Sequence, residues 1–304
     1  MRITVVLVTY NRLNDLKTTL GDYSKQIRVP DAIIVVNNAS TDGTELFLKE
    51  WERREEPYKK IIINSNKNLG GAGGFALGIK RALDTDCDYI FIADDDAFPD
   101  IHMLEALINV VDEKNNENIA AYCTTVINNG KIDTMHRRRL IKKLGFVIKD
   151  VPVDEDEYKK ELFELDYLTF VGALIKKKTI ERIGLPRVDY FIREDDTEYS
   201  LRLGHCGGIL CVTKSVMNHN TGTTSKLWLD YYTIRNNLIN IKNNFGTSYY
   251  YYAMLVWYIK RCSFLARIIK HRTKKYRCMC KQAIKDAENN TLGFNELYNS
   301  NTIL

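Results

Sequence analysis

The feature that most constrains this chain is the alternation of short β-branched runs with helix-period segments across residues 3–93. Ile3–Val8, Ala32–Asn37, Lys60–Ile63 and Tyr89–Ala93 are apolar runs of strand length, separated by Leu13–Gln26, Thr44–Arg54 and Gly73–Leu83, whose apolar residues recur at helical spacing. Parallel strands need a crossover long enough to hold a helix, so this pattern predicts an α/β fold with a mostly parallel central sheet flanked by helices. With 304 residues and 45% hydrophobic content, the chain can bury such a core.

Ligands of open α/β sheets gather beyond the carboxyl ends of the strands. The residues there are Thr9-Tyr10-Asn11-Arg12, Asn37-Asn38-Ala39-Ser40, Asn66-Lys67-Asn68-Leu69-Gly70-Gly71 and Asp94-Asp95-Asp96, and every set is polar or glycine-rich. Small residues at a helix start let backbone N–H groups approach an anion. The glycine run has no Gly-Lys-Ser/Thr ending and no spaced G-x-G-x-x-G, which argues against phosphate-loop kinases and dehydrogenases.

Three consecutive carboxylates repel one another, whereas a hard divalent cation, Mn2+ or Mg2+, collects oxygen ligands. A solvated acidic turn is the alternative for an isolated triplet; its place after an apolar strand favours a metal able to bridge two donor phosphates. A carboxylate base must then activate an acceptor hydroxyl, and Glu194-Asp195-Asp196-Thr197-Glu198 supplies candidates. On a helix Asp195, Glu198 and Arg202 share a face, so pairing within the helix competes with that reading. His219 is a candidate imidazole ligand completing the metal site, with a purely structural histidine as the alternative.

Together these residues resemble the inverting family-2 glycosyltransferases of the GT-A fold, over about residues 2–221. The resemblance implies nucleotide-sugar contacts from Thr9, Tyr10, Asn11 and Arg12, from Asn37, Asn38, Ser40 and Asp42, and from Asn68, Gly70 and Gly71. It implies Asp94 and Asp96 as metal ligands with His219, Asp95 beside the ribose or phosphate, and Asp196 as base with Asp195 next to it. The glycine run, the full aspartate triplet, the doubled Asp195-Asp196 and the downstream histidine are most similar to bacterial galactofuranosyltransferases. UDP-galactofuranose is therefore the first expected donor, and dTDP-rhamnose, used by related rhamnosyltransferases, the second. Asn37 departs from the family, where an aspartate usually opens that turn. Tyr231-Tyr232-Thr233-Ile234-Arg235-Asn236-Asn237 is similar to a segment of polysaccharide-assembling members. That similarity implies Arg235 as a contact for a diphosphate of the donor or a lipid carrier, with an Arg beside aromatic packing an equal reading, while Glu198 of the acidic segment is a candidate acceptor contact.

Ten Lys/Arg and no acid lie between Lys260 and Lys285, preceded by the aromatic stretch Tyr249–Ile259. That composition suits a helix lying in the headgroups of an anionic membrane, bringing a lipid-linked glycan acceptor to the site, with a homodimer helix pair as the competing reading. No nucleic-acid motif accompanies the basic block. No run reaches the ~18 apolar residues of a spanning helix. Seven mostly isolated cysteines and no signal peptide before the first strand predict a cytoplasmic protein, peripheral on the inner face of the membrane. Cys278 and Cys280 have no second Cys/His pair at finger spacing. The expected organisation is a catalytic unit over 1–225 and a helical, basic C-terminal region over 226–304, with the charged stretch Asn128–Glu164 as a mobile excursion over the site. A nucleotidyltransferase or a noncatalytic carbohydrate- or lipid-binding scaffold is the reading from other classes.

Overall fold

The computed structural model describes residues 1–114, 116–219, 226–263, 273–300 and 302. The first half runs β1 (Ile3–Thr9), α1 (Leu13–Ser24), β2 (Ala32–Asn37), α2 (Thr44–Arg53), β3 (Lys59–Asn64), α3 (Gly70–Leu83) and β4 (Tyr89–Asp94). Every residue of β1 and β2 is buried, as continuous apolar strands covered on both faces must be. Helix α3 starts at Gly70, ahead of the expected Gly73, because the glycine run hides its helical period. Those glycines bring α3 onto β1: a Cβ on Gly74 would stand 2.5 Å from Val8 Cγ1.

The chain continues through β5 (Ala97–Pro99), α4 (Met103–Lys114), β6 (Ile119–Asn128), β7 (Lys131–Ile132), β8 (Arg137–Lys143), β9 (Val147–Pro152), β10 (Leu162–Leu165), β11 (Tyr167–Leu168) and β12 (Ala173–Lys176). Then come α5 (Lys177–Ile183), α6 (Asp195–Gly204) and β13 (Gly208–His219). The main sheet has the order β10-β13-β6-β12-β4-β1-β2-β3, with β5 added on β13 and β7 on β6. Strands β1 to β4 pair in parallel, and β12 enters antiparallel between β4 and β6.

Two expectations are corrected here. The 128–164 stretch is regular structure: β8 and β9 form a hairpin turning at Leu144-Gly145, and β11 pairs with β8 to complete a three-stranded sheet. Its burial pattern was masked because β8 turns a charged residue inward: Arg137 is buried and donates to the carbonyls of Thr124 and Val171. The run 167–175 is two strands, β11 and β12, which belong to different sheets.

Beyond the main sheet, α7 (Leu229–Phe245), α8 (Thr247–Trp257) and α9 (Lys274–Glu288) share a core with Tyr190, Phe191, Ala72 and Ile148. Helix α9, within the basic block, buries Tyr276, Met279, Cys280, Ala283 and Ala287 at helical spacing and exposes Lys274, Lys275, Lys281 and Lys285. The basic residues Arg267, Lys270 and Arg272 lie outside the described residues. Among the described residues no helix is long and apolar enough to cross a membrane.

Candidate active site

Asp94 ends β4 and Asp96 follows two residues later, while His219 ends β13. Antiparallel pairing of β13 with β5 sets His219 opposite Ala97, the residue after Asp96. Sheet register thus joins groups far apart in the chain: His219 Nε2 lies 3.2 Å from Asp96 Oδ1, and one donor atom from each of Asp94, Asp96 and His219 falls within 4.8 Å of the others. Two carboxylates and an imidazole converging this closely fit a divalent cation. Nδ1 of His219 is buried with no hydrogen-bond partner in the protein, so the imidazole's bonding capacity is not used up by the fold. His136, unforeseen from the sequence, meets His219 edge-on at 5.3 Å and lies 2.7 Å from Thr169 Oγ1 through its Nδ1.

Burial and the neighbouring Asp96 push Asp94 up to about 7. Burial raises Asp95 to about 6, against the pull of Arg12. Burial would raise Asp96 too, but its hydrogen bond to His219 and the charge of Arg12 prevail and hold it below its ordinary value. Arg12 Nη1 lies 3.0 Å from Asp95 Oδ1 and 2.6 Å from Asp96 Oδ2, so a guanidinium balances the triplet.

The polar turns above the strands are stitched together. Asn11, at φ 54°, donates its N–H to Ser40 and accepts from Thr41 N. Asp42 accepts from Leu13 N and from Thr44, tying the starts of α1 and α2. Asn37 donates to Asn64 and accepts from Ser40 N, so its amide is held inside the protein. Asn38 donates to Asn68 and to the Gly70 carbonyl and accepts from Leu69 N, fixing the loop before α3. Gly70, at φ 71°, abuts Phe191: a Cβ there would meet the Phe191 carbonyl at 1.9 Å. Tyr10 and Arg12 are exposed, and Thr9 is buried.

Phe191, Arg193 and Glu194 all adopt left-handed backbone, with φ of 64°, 69° and 64°. Such strain in side-chain-bearing residues persists only where surroundings enforce it. Here α7 does so: Asn236 Nδ2 reaches the carbonyls of Tyr190, Ile192 and Arg193, and Asn240 donates to that of Glu194. The segment launches α6. Asp195 is buried and raised well above its ordinary value by burial, by Asp196 and, more weakly, by Asp94, which places α6 within electrostatic reach of the metal-type cluster. Asp196 is half-buried, and its Oδ1 accepts from Thr197 N at 2.7 Å. Arg138 Nη2 donates to Thr197 Oγ1 at 3.0 Å, with Asp150 paired to Arg138 and the Tyr167 ring beneath it.

Two expected contacts are corrected. Arg235 is 1% exposed between the rings of Tyr231 and Tyr232 and donates to Asn236 and to the carbonyls of Gly293 and Tyr190, so it clamps the strained segment rather than facing a diphosphate. Glu198 is buried and bonded to Arg202 at 2.7 Å, one helical turn on, which is the pairing alternative and not an acceptor contact.

The family model described as Glycosyl transferase family 2 matches residues 4–184. Galactofuranosyltransferase GlfT1 of Mycolicibacterium smegmatis is 30% identical over 228 residues, covering 73% of this chain and 72% of the relative. GlfT1 of Mycobacterium tuberculosis is 32% identical over 204 residues, 66% of this chain and 64% of the relative. The crystal structure of GalNAc-T7 with UDP, GalNAc and Mn2+ superposes with a TM-score of 0.65 at 14% identity, over 96% of this chain and 56% of the other, a likeness of fold. The architecture is thus that of the GT-A glycosyltransferases.

Proposed function

This chain belongs to glycosyl transferase family 2 and is a glycosyltransferase, and from that premise we propose that it is a metal-dependent, inverting galactofuranosyltransferase. In this reading it moves galactofuranose from UDP-galactofuranose to a lipid-linked glycan at an anionic membrane surface. The observation that carries the transfer chemistry is the convergence of Asp94, Asp96 and His219 within 4.8 Å, with the acidic start of α6 close enough for Asp94 to act on Asp195. The galactofuranose donor is supported by two relatives of that activity.

Asp94, Asp96 and His219 would hold a divalent cation, which would supply positive charge to offset that of the departing nucleotide. Arg12, half-exposed beside the triplet, adds a side-chain cation to the same place. Asp95, paired with Arg12, stands beside the ribose or phosphate of the donor in this reading. Asp196 takes the proton of the acceptor hydroxyl, whose oxygen forms the new bond to the anomeric carbon. The bond from that carbon to the diphosphate oxygen breaks, and the nucleotide leaves with the electron pair on the opposite face, which inverts the centre.

Membrane contact is supported by one face of α8 and its extension. Tyr251, Leu255, Tyr258 and Ile259, four, seven and eight positions along, are 56%, 55%, 45% and 47% exposed. The hairpin tip lies beside them: Leu144 is exposed, and Phe146 meets Tyr252 ring to ring at 5.6 Å. Lys142, Lys143 and Lys260 are exposed on the same elements. Aromatic and aliphatic side chains flanked by lysines match the interface of an anionic bilayer.

The test incubates the protein with Mn2+ and a panel of UDP- and dTDP-sugars and follows slow donor hydrolysis. Nucleotide release from UDP-galactofuranose, abolished by chelation, is the expected result. Preference for dTDP-rhamnose would reassign the donor, and no release from any donor would overturn the reading.

A further inference from the structure

A cleft lies between the β8–β9 hairpin and helices α6, α7 and α8, lined among others by Tyr167, Glu194, Thr197, Asn237, Tyr252 and Trp257. It reaches the proposed base through one residue: Thr197 lines the cleft, and its Oγ1 stands 3.3 Å from Asp196 Oδ1. We infer that this cleft is the acceptor subsite, a saccharide site in which a sugar ring packs against Tyr252 and Trp257 and a sugar hydroxyl bonds the Glu194 carboxyl. The word acceptor rests on the transferase reading above; the saccharide site does not.

The lining suits a sugar. Pyranose and furanose rings present C–H faces that pack on aromatic side chains, and hydroxyls that need carboxyl or amide partners, a mixture that purely apolar ligands do not require. Glu194 is moreover fixed at both its backbone and its carboxyl. Its backbone is left-handed at φ 64°, its carbonyl accepts from Asn240, and its Oε2 accepts from Asn237 Nδ2 at 3.2 Å. Asn237 in turn accepts the indole N–H of Trp257 at 3.0 Å, so aromatic wall and carboxyl are fixed to one another. Strain concentrated on a cavity-lining carboxyl is a mark of a binding site. Burial, opposed by Arg138, pushes Glu194 up to about 7, so near neutrality it offers both a donor and an acceptor to a hydroxyl.

The experiment titrates the full chain, with chelator and without donor, using n-octyl β-D-galactoside, n-octyl α-L-rhamnoside and n-octyl N-acetyl-β-D-glucosaminide below their micellar concentrations. Tryptophan fluorescence is the readout. A saturable change is expected with at least one glycoside, lost in Trp257→Phe and shifted to about 10-fold higher concentration in Glu194→Gln, for a lost hydrogen bond to a sugar. Thermal melting confirms that both variants fold; Tyr252→Phe, which keeps the ring, serves as a third variant and is expected to keep the response. No saturable change with any of the three glycosides, or Glu194→Gln titrating like the parent protein, overturns the inference. Donor hydrolysis without a Trp257 response leaves the transferase reading standing and removes this cleft. A Trp257 response without hydrolysis of any donor removes the transferase reading and leaves a saccharide site.

Discussion

Arg12 Nη1 stands 2.6 Å from Asp96 Oδ2, so a carboxylate placed to bind a cation is already paired with a guanidinium. A divalent ion entering between Asp94, Asp96 and His219 therefore competes with Arg12 for Asp96. At pH 8, where protons no longer compete, Arg12→Ala is expected to bind Mn2+ about 3- to 10-fold more tightly, because a nearby positive charge is gone. His219→Ala is expected to weaken Mn2+ binding about 10- to 100-fold, by loss of a ligand. Titration of free Mn2+ by electron paramagnetic resonance reads both. Unchanged affinity in His219→Ala would remove the histidine from the metal site.

Asp196→Asn keeps the shape of the side chain and its acceptance from Thr197 N while removing its capacity to take a proton. Transfer is expected to fall about 10²- to 10⁴-fold, the usual worth of a general base, with UDP affinity within two-fold of the parent. Rapid-quench transfer assays alongside UDP calorimetry separate the two. Wild-type turnover in this variant would assign the base elsewhere.

Stability should fall as pH rises toward neutrality. Burial first, together with neighbouring carboxylates, holds Asp94 near 7, and burial holds Asp95 near 6 and Glu194 near 7. On unfolding these groups regain ordinary carboxyl values near ~4. Between about pH 4 and 7 the native state then holds protons that the unfolded chain has released, so the unfolding free energy decreases with pH. His219, raised by Asp96 and Asp94 against the burial that lowers it, adds the same sign above its unfolded value. His136, lowered to about 3 by burial and by Arg137, opposes with one group. Chelated protein is expected to melt highest near pH 5 and progressively lower to pH 7.5, with Mn2+ restoring stability at the upper end. A melting temperature that rises steadily across that range would contradict the assignment.

Strands β1, β2 and β4 were legible because strands buried on both faces read as unbroken apolar runs, and the site residues at the strand ends stood out as polar residues where packing asks for none. The Glu198–Arg202 pair was also visible, as a four-residue spacing on a helix. What was hidden depends on partners distant in sequence. The meeting of His219 with Asp96 needs the β13–β5 register, and no local pattern encodes it. Arg235 reads as a solvent-facing cation until the carbonyls of the strained 190–194 segment are there to receive it. Arg137 and Arg138 look like members of one charged run, yet strand alternation sends the first into the core and the second toward Thr197. Glu194 shows only as one acid among five residues; its left-handed backbone and its tether to Asn237 single it out.

The exposed face of α8 makes a last prediction. Tyr251, Leu255, Tyr258 and Ile259 stand out from the core, so replacing them with serine costs little folding energy and removes apolar area that a bilayer would otherwise cover. The parent protein is expected to float with vesicles containing phosphatidylglycerol, less so with vesicles of phosphatidylcholine alone, and less again at high salt, because lysine attraction to anionic lipid is screened over ~8 Å at physiological ionic strength. The four-serine variant is expected to lose flotation while keeping its melting temperature, and Leu144→Ser with Phe146→Ser at the hairpin tip to weaken it partially. The competing reading of the same face, a contact between two copies of the chain, would show instead as a concentration-dependent dimer in analytical ultracentrifugation that the serine variant dissolves. Equal flotation of parent and four-serine variant would detach this face from the membrane.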